Sequence, residues 1–227
     1  MNIQSVTDIG STRKENQDNY WSALLSTDGS ETGIVCICDG MGGLDNGGLA
    51  SSIAVKTVRD CILEGTDFEE IYNVLFQVNK NIYSLSSEGN RMGTTCTLLY
   101  CKDGKYSLLH VGDSRCYHIY DTVVEQITKD NSVIAEYGIT KENNRNLYEK
   151  YKSKLTRCLG VKPEVEISRY SGGYKEGDCF LLCSDGFWHY FEESGKSLRL
   201  ENLEDCIKDC MSVYGEQDNI TACLLYV

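Results

Sequence analysis

The chain has 227 residues, enough for one large domain in which about 70–75% of the unfolded surface is buried on folding. Its 34 acidic against 22 basic residues leave a formal charge of −12, and no cluster of Lys or Arg stands out, which argues against nucleic-acid phosphates and anionic membranes as partners. Residues 1–10 carry neither a basic start nor an apolar stretch and do not read as a signal peptide, and no run approaches the ~18 apolar residues of a membrane span.

In chain order, an apolar run at 33–38 ends in Asp39-Gly40 and reads as a strand. Apolar or small residues at 49, 50, 53, 54, 58, 61 and 62 then define one helical face, and those at 68, 71, 72, 75, 78, 82 and 85 a second. Strand-like runs follow at 95–101, 105–111, 115–120 and 122–127, with Asp103-Gly104 as a two-residue hairpin signal between the first two. Residues 132–154 are polar and read as helix or loop. Strand signals return at 165–170 and 178–183, a helical pattern appears at 200, 203, 206, 207, 210 and 211, and a last strand is expected over 219–226. Short connections imply mostly antiparallel sheets. The architecture that buries all these stripes is an α+β fold, a four-layer α-β-β-α sandwich of two sheets packed face to face with helices outside, forming a single domain over 1–227.

The chain has twelve cysteines but no Cys-x-x-Cys, so a zinc ribbon or thioredoxin-like motif has no support. Most of them sit inside apolar segments and read as buried reduced thiols in a cytoplasmic protein.

Four aspartates stand at strand ends: Asp39, Asp113 and Asp185 after apolar runs, and Asp218 before one. An unpaired carboxylate is costly to desolvate, by several kcal/mol in effect, and several together repel one another unless a cation collects them. Hard divalent ions bound by oxygen are the usual solution. Asp39 is followed by Gly40, Gly42 and Gly43, glycines that let the backbone come close to a ligand. Arg13 lies in a polar segment ending at Asp18, and a guanidinium can hold phosphate in a bidentate fork.

Taken in order, the segments Arg13-Lys-Glu-Asn-Gln-Asp18, Asp39-Gly-Met-Gly-Gly43, Gly93-Thr-Thr95, Val111-Gly-Asp-Ser-Arg115, Thr128-Lys-Asp130, Leu155-Thr-Arg-Cys-Leu-Gly160, Leu182-Cys-Ser-Asp-Gly186 and Asp218-Asn-Ile-Thr221 span nearly the whole chain. In this set the chain resembles the metal-dependent serine/threonine protein phosphatases of the 2C family, bacterial branch. The resemblance implies two Mn²⁺ or Mg²⁺ ions with a third beside them. Asp39 matches the carboxylate that bridges two ions, Gly40 the donor of a backbone carbonyl, Asp185 and Asp218 the other ligands of one ion, and Asp113 with Asp185 the third site. Arg13 matches the phosphate-binding arginine and Asp18 a carboxylate that orients metal-bound water. It also implies attack of that water on phosphorus with no covalent intermediate, and residues 132–154 as a flap beside the site.

The resemblance implies as partners phosphorylated Ser/Thr proteins and, by analogy, a cognate Ser/Thr kinase, with the chain a monomer. Three positions depart from the family pattern: Met41 stands where animal relatives have a histidine, Gln17 where many members have a glutamate, and Asn131 where a histidine is usual. His110, His118 and His189 match no catalytic position and read as structural. The alternatives are a catalytically silent phosphoprotein-binding module of the same fold, a calcium sensor, which no EF-hand spacing supports, and a phosphatase narrowed to regulators of sigma factors.

Overall fold

The structure, a computed structural model, describes residues 1–27, 29–41, 46–121, 123–194, 205 and 218–227. Strands β1 (Asn2–Asp8), β2 (Asp18–Thr27) and β3 (Ser30–Asp39) lead into helices α1 (Gly47–Leu63) and α2 (Phe68–Leu85). Four strands follow: β4 (Cys96–Lys102), β5 (Lys105–Val111), β6 (Arg115–Tyr120) and β7 (Val123–Gln126). Then come α3 (Val133–Glu136), α4 (Lys141–Tyr151), β8 (Ser168–Gly173), β9 (Cys179–Cys183), α5 (Asp185–Ser194) and β10 (Ile220–Tyr226). The expected helix between 200 and 211 lies outside the described residues, Asp205 apart.

The strands form two five-stranded sheets, ordered β2-β3-β4-β5-β8 and β1-β10-β9-β6-β7, and every pairing is antiparallel. The central strands are apolar on both faces, because each sheet is covered twice. Along β3, Val35 and Ile37 face the second sheet, where they meet Phe180, Leu182, Cys223 and Leu225. Ile34, Cys36 and Cys38 point the other way, into a cluster with Ala50, Ala54 and Val58 of α1 and Ile71, Leu75 and Val78 of α2. Across the second sheet, Leu181, Cys183, Ala222 and Leu224 turn outward onto Phe187, Trp188 and Tyr190 of α5. The period-2 alternation of each strand thus builds helix, sheet, sheet and helix in four layers. Each fully buried Leu, Ile or Phe in these layers contributes roughly 1.5–3 kcal/mol. The ten cysteines among the described residues are all free thiols, eight of them buried.

Local signals account for most boundaries. Asp103 and Gly104 both have positive φ (50° and 72°), the geometry of a two-residue type I′ hairpin whose twist matches that of the strands. The Asp67 carboxylate caps α2 by accepting from the Glu69 and Glu70 amides.

Three expectations shift. Leu49, placed on the buried face of α1, is 52% exposed, as is Leu85 at the end of α2. For Leu49 the cause is Gly47, whose missing side chain lets the start of α1 lie on the Gly40–Met41 backbone. With Gly47 turned inward, a residue two positions on lies about 200° round the helix and faces out. The strand expected at 165–170 runs instead over Ser168–Gly173. Val165 and Ile167 pack into the α1–α2 cluster, whereas the ladder to β5 continues through Ser171, Gly172 and Gly173, residues without an apolar signal. Finally, Asp185, expected only as the end of a strand, is the first residue of α5.

Candidate metal centre and cleft

All five matched aspartates collect at one end of the sandwich. Asp18 opens β2 and Asp39 closes β3, and the two are direct partners in the ladder. Like charges opposite each other across strands are destabilising, so this pair asks for a counter-charge. Asp113 lies in the loop between β5 and β6, Asp185 starts α5 after β9, and Asp218 stands two residues before β10.

Hydrogen bonds fix each mount. The Asp39 amide donates to Thr95 Oγ1 at 2.8 Å, and its carbonyl accepts from the Thr95 amide (2.9 Å) and Thr94 Oγ1 (2.9 Å). The Gly40 amide donates to the Gln17 carbonyl at 3.1 Å. A Cβ at Gly40 would collide with the backbones of Gly47 and Gln17, so only glycine brings this peptide so close. Gly186 plays the same part for α5, since a Cβ there would strike the Asn219 carbonyl.

Asn219 is the staple of the site. It accepts from the Gln17 amide (2.9 Å) and donates to the carbonyls of Ile9 (2.8 Å) and Glu15 (3.0 Å), tying the Arg13 loop to the last strand. The Ser184 hydroxyl donates to Asp18 Oδ2 at 2.7 Å and accepts from the Thr221 amide at 2.9 Å, linking Asp18 to the second sheet. Asn131, the departure from histidine, accepts from the Gly112 amide at 3.0 Å and so steadies the loop that carries Asp113. Gln17, the departure from glutamate, donates to Glu15 Oε1 at 2.7 Å.

The electrostatics are those of crowded carboxylates. Burial first, and then the charges of Asp18, Asp185, Asp113 and Asp218, raise Asp39 well above the usual carboxylate range. Burial and the charges of Asp113, Asp218 and Asp18 do the same to Asp185. Burial pushes Asp18 up to about 6 against the pull of neighbouring hydroxyls. Burial, with Asp130 adding to it, pushes Asp113 up to about 7. Asp18 Oδ1 is buried and has no hydrogen-bond partner among the described residues. A set of oxygen donors that raise one another and include an orphaned buried oxygen fits a hard divalent cation.

Two findings refine that picture. Arg13 and Asp218, given separate tasks in the sequence, are paired: Nε donates to Oδ1 at 2.8 Å and Nη2 to Oδ2 at 2.6 Å. The Asp218 hydrogen bond, partly opposed by burial, raises Arg13 above its ordinary value. Secondly, the only three potential ligand atoms within 4.8 Å of one another among the described residues are the thiols of Cys36, Cys38 and Cys96. They are wholly buried in the apolar cluster under α1 and α2. No three of the clustered carboxylates come that close to one another among the described residues, although Asp39 lies within hydrogen-bonding reach of both Asp18 and Asp185.

Arg13, Asp185 and Asp218 open onto a cleft of about 400 Å³ whose other walls include Lys141, Tyr148 and Lys152 from the 132–154 segment. His189 of α5 lines it as well. From sequence alone this histidine matches no catalytic position of the family and reads as structural. Its position, four residues after Asp185, was the available signal, but it becomes meaningful only once α5 is known to be a helix on which i and i+4 share a face. The structural reading holds for the other two. His110 is fully buried beside Thr97 (3.0 Å), and burial pushes it down to about 4. His118 pairs with Asp178 at 2.9 Å.

Two antiparallel sheets clad in helices carry, at one end, an acid-lined cleft with a guanidinium at its mouth, donors suited to a divalent cation and to a phosphate group. The chain belongs to the protein phosphatase 2C family, whose pattern it matches over residues 11–223. It is 34% identical over 245 residues to the serine/threonine phosphatase stp of Listeria monocytogenes, covering 99% of this chain and 95% of that one. These matches make it a serine/threonine protein phosphatase of the 2C type, and they do not favour a catalytically silent module. Among solved structures, the serine/threonine phosphatase Stp1 of Staphylococcus aureus superposes with a TM-score of 0.80 at 21% identity, over 99% of this chain and 94% of that one. The catalytic domain of the phosphatase PstP, in complex with two manganese ions, gives a TM-score of 0.74 at 23% identity, over 98% and 96%. At these identities the likeness is one of fold.

Proposed function

We propose that Asp39, the Gly40 carbonyl, Asp185 and Asp218 would hold two Mn²⁺ or Mg²⁺ ions, and that Asp113 and Asp185 would serve a third. The observation that carries this reading is the mutual elevation of Asp39, Asp18, Asp113 and Asp185 at one end of the sandwich, beside the unpartnered Asp18 Oδ1. When bound, such ions supply positive charge for the phosphoryl oxygens and a water acidic enough to attack near neutral pH.

The chain's own residues do the rest. Asp18, mounted by Ser184, orients the attacking water. Arg13, at the mouth of the cleft, forks onto two phosphoryl oxygens, stabilising charge that spreads there as the bond to the leaving oxygen loosens. No side chain becomes phosphorylated. Burial raises the thiols of Cys101, Cys116, Cys183 and Cys223 and keeps them protonated, and the Cys36, Cys38 and Cys96 group is wholly buried in the apolar cluster under α1 and α2 and does not line the cleft.

Lys141, Tyr148, Lys152 and Ser153 line the same cleft, which supports residues 132–154 as the flap of a single domain over 1–227. The substrates are proteins phosphorylated on Ser or Thr, dephosphorylated by a cytoplasmic monomer acting against a Ser/Thr kinase. A charge of −12 disfavours self-association, and no helix among the described residues is long and apolar enough to cross a membrane.

The test is hydrolysis of a phosphothreonine peptide. Turnover should need Mn²⁺ or Mg²⁺ and resist okadaic-acid-type inhibitors. It should also fall by at least about 10³-fold in Asp39→Ala. Turnover that survives EDTA, or survives that substitution, contradicts the assignment.

A further inference from the structure

Cleavage of a phosphoserine or phosphothreonine ester releases an alkoxide, a strong base that must gain a proton as the P–O bond breaks. The residue next to Gly40 is Met41, a thioether with no proton to give. A side-chain donor would have to come from the walls of the cleft. Its titratable walls among the described residues are Arg13, Lys141, Tyr148, Lys152, Asp185, His189 and Asp218. Arginine, lysine and tyrosine ordinarily release protons only at pH 10 or above. Asp185 and Asp218 are engaged with cations in the reading above. An imidazole is the side chain whose ordinary titration falls near neutrality.

We propose that His189 is the general acid that protonates the leaving serine or threonine oxygen. This rests on the metal-dependent reading of the same cleft and assigns a step that reading leaves open. His189 is half-buried and sits four residues after Asp185 on α5. That spacing puts it one turn, about 6 Å, along the same face as Asp185. Its ring lies against Trp188, with centroids 3.8 Å apart. Trp188 is itself fixed from two sides: its indole N–H donates to the Asp113 carbonyl at 2.9 Å, and the Arg115 guanidinium lies 3.5 Å over its ring. A supported ring in the wall of the cleft is what a proton donor needs.

In the step itself, water forms a new bond to phosphorus while the P–O(Ser/Thr) bond breaks. The departing oxygen takes the proton of an imidazolium N–H, and the neutral ring regains one from solvent as phosphate leaves. The balance is one water added across one ester bond.

The discriminating experiment compares leaving groups. In Mn²⁺, wild type, His189→Asn and His189→Gln are assayed on a phosphothreonine peptide and on p-nitrophenyl phosphate, whose phenolate departs without needing a proton. Calorimetric Mn²⁺ titration of each protein accompanies the assays. The peptide-to-aryl ratio of kcat/KM should fall about 10²-fold in both variants, the range of general acid catalysis. Mn²⁺ affinity should stay within about threefold, because the ring is no ligand in this account. An equal loss on both substrates, no loss on either, or weakened Mn²⁺ binding accompanying the loss would overturn the assignment, the last by making His189 a ligand. Wild type that hydrolyses neither substrate with Mn²⁺ would bring down the metal-dependent reading, and this proposal with it.

Discussion

Two arginine–aspartate forks in this protein have nearly the same geometry and opposite meanings. Arg115 grips Asp130 through Nε (3.0 and 3.1 Å) and Nη2 (2.8 Å), and its third nitrogen donates to Tyr117. Its side chains are 10% and 8% exposed. Arg13 grips Asp218 as closely, but the side chains are 39% and 35% exposed and face the cleft. Burial opposes the charge of Arg115, yet the Asp130 carboxylate outweighs it and raises the guanidinium above its ordinary value. That pair is locked, and through Trp188 it steadies the start of α5. The half-exposed pair is worth about 0–1 kcal/mol, so its charges remain available for other partners. Burial, not bond length, separates the scaffold from the working site.

The largest expected effect strikes the buried fork. Asp130→Asn leaves Arg115 charged and unmatched in the interior and should cost about 3–5 kcal/mol in urea unfolding. A loss below about 1 kcal/mol would erase the distinction between the forks. Arg13→Ala should do the reverse. We expect kcat/KM on a phosphothreonine peptide to fall about 10²-fold, equivalent to about 3 kcal/mol of transition-state stabilisation. Its unfolding free energy should stay within about 1 kcal/mol of wild type.

The smallest effect is on pH dependence. Asp18 and Asp113 lie near 6 and near 7 in the folded protein, against about 3.9 in an unfolded chain. The native state therefore binds more protons than the unfolded one across this window, and stability is lost as pH rises through it. Metal-stripped protein should thus melt a few degrees higher at about pH 5.5 than at about pH 7.5, and saturating Mn²⁺ should flatten or reverse the trend by favouring ionised carboxylates. A flat profile without metal would mean that the carboxylates do not crowd one another.

Much of this was legible in the chain. The strand-end aspartates announce themselves because apolar runs stop abruptly at Asp39 and Asp185, and the Asp103-Gly104 hairpin because few residues accept positive φ. The pairing of Arg13 with Asp218 was not legible, since 205 residues separate them and no local pattern carries so distant a contact. Helix α5 was missed because Phe187-Trp-His-Tyr-Phe191 is a short aromatic run with no polar interval to mark a helical period. With α5 unread, His189 had no reason to be placed near Asp185. Asn219 was legible as a motif residue, but its work as a staple between the Arg13 loop and the last strand depends on backbone groups that a sequence does not display.

The central claim is that the clustered aspartates exist to hold divalent cations. Calorimetric titration of the metal-stripped protein with Mn²⁺, compared with Asp39→Asn, tests it most directly. The account predicts at least two ions per chain for wild type and, for the variant, affinity reduced by at least about 10²-fold with the fold intact. Equal stoichiometry and equal affinity in the two proteins would contradict it.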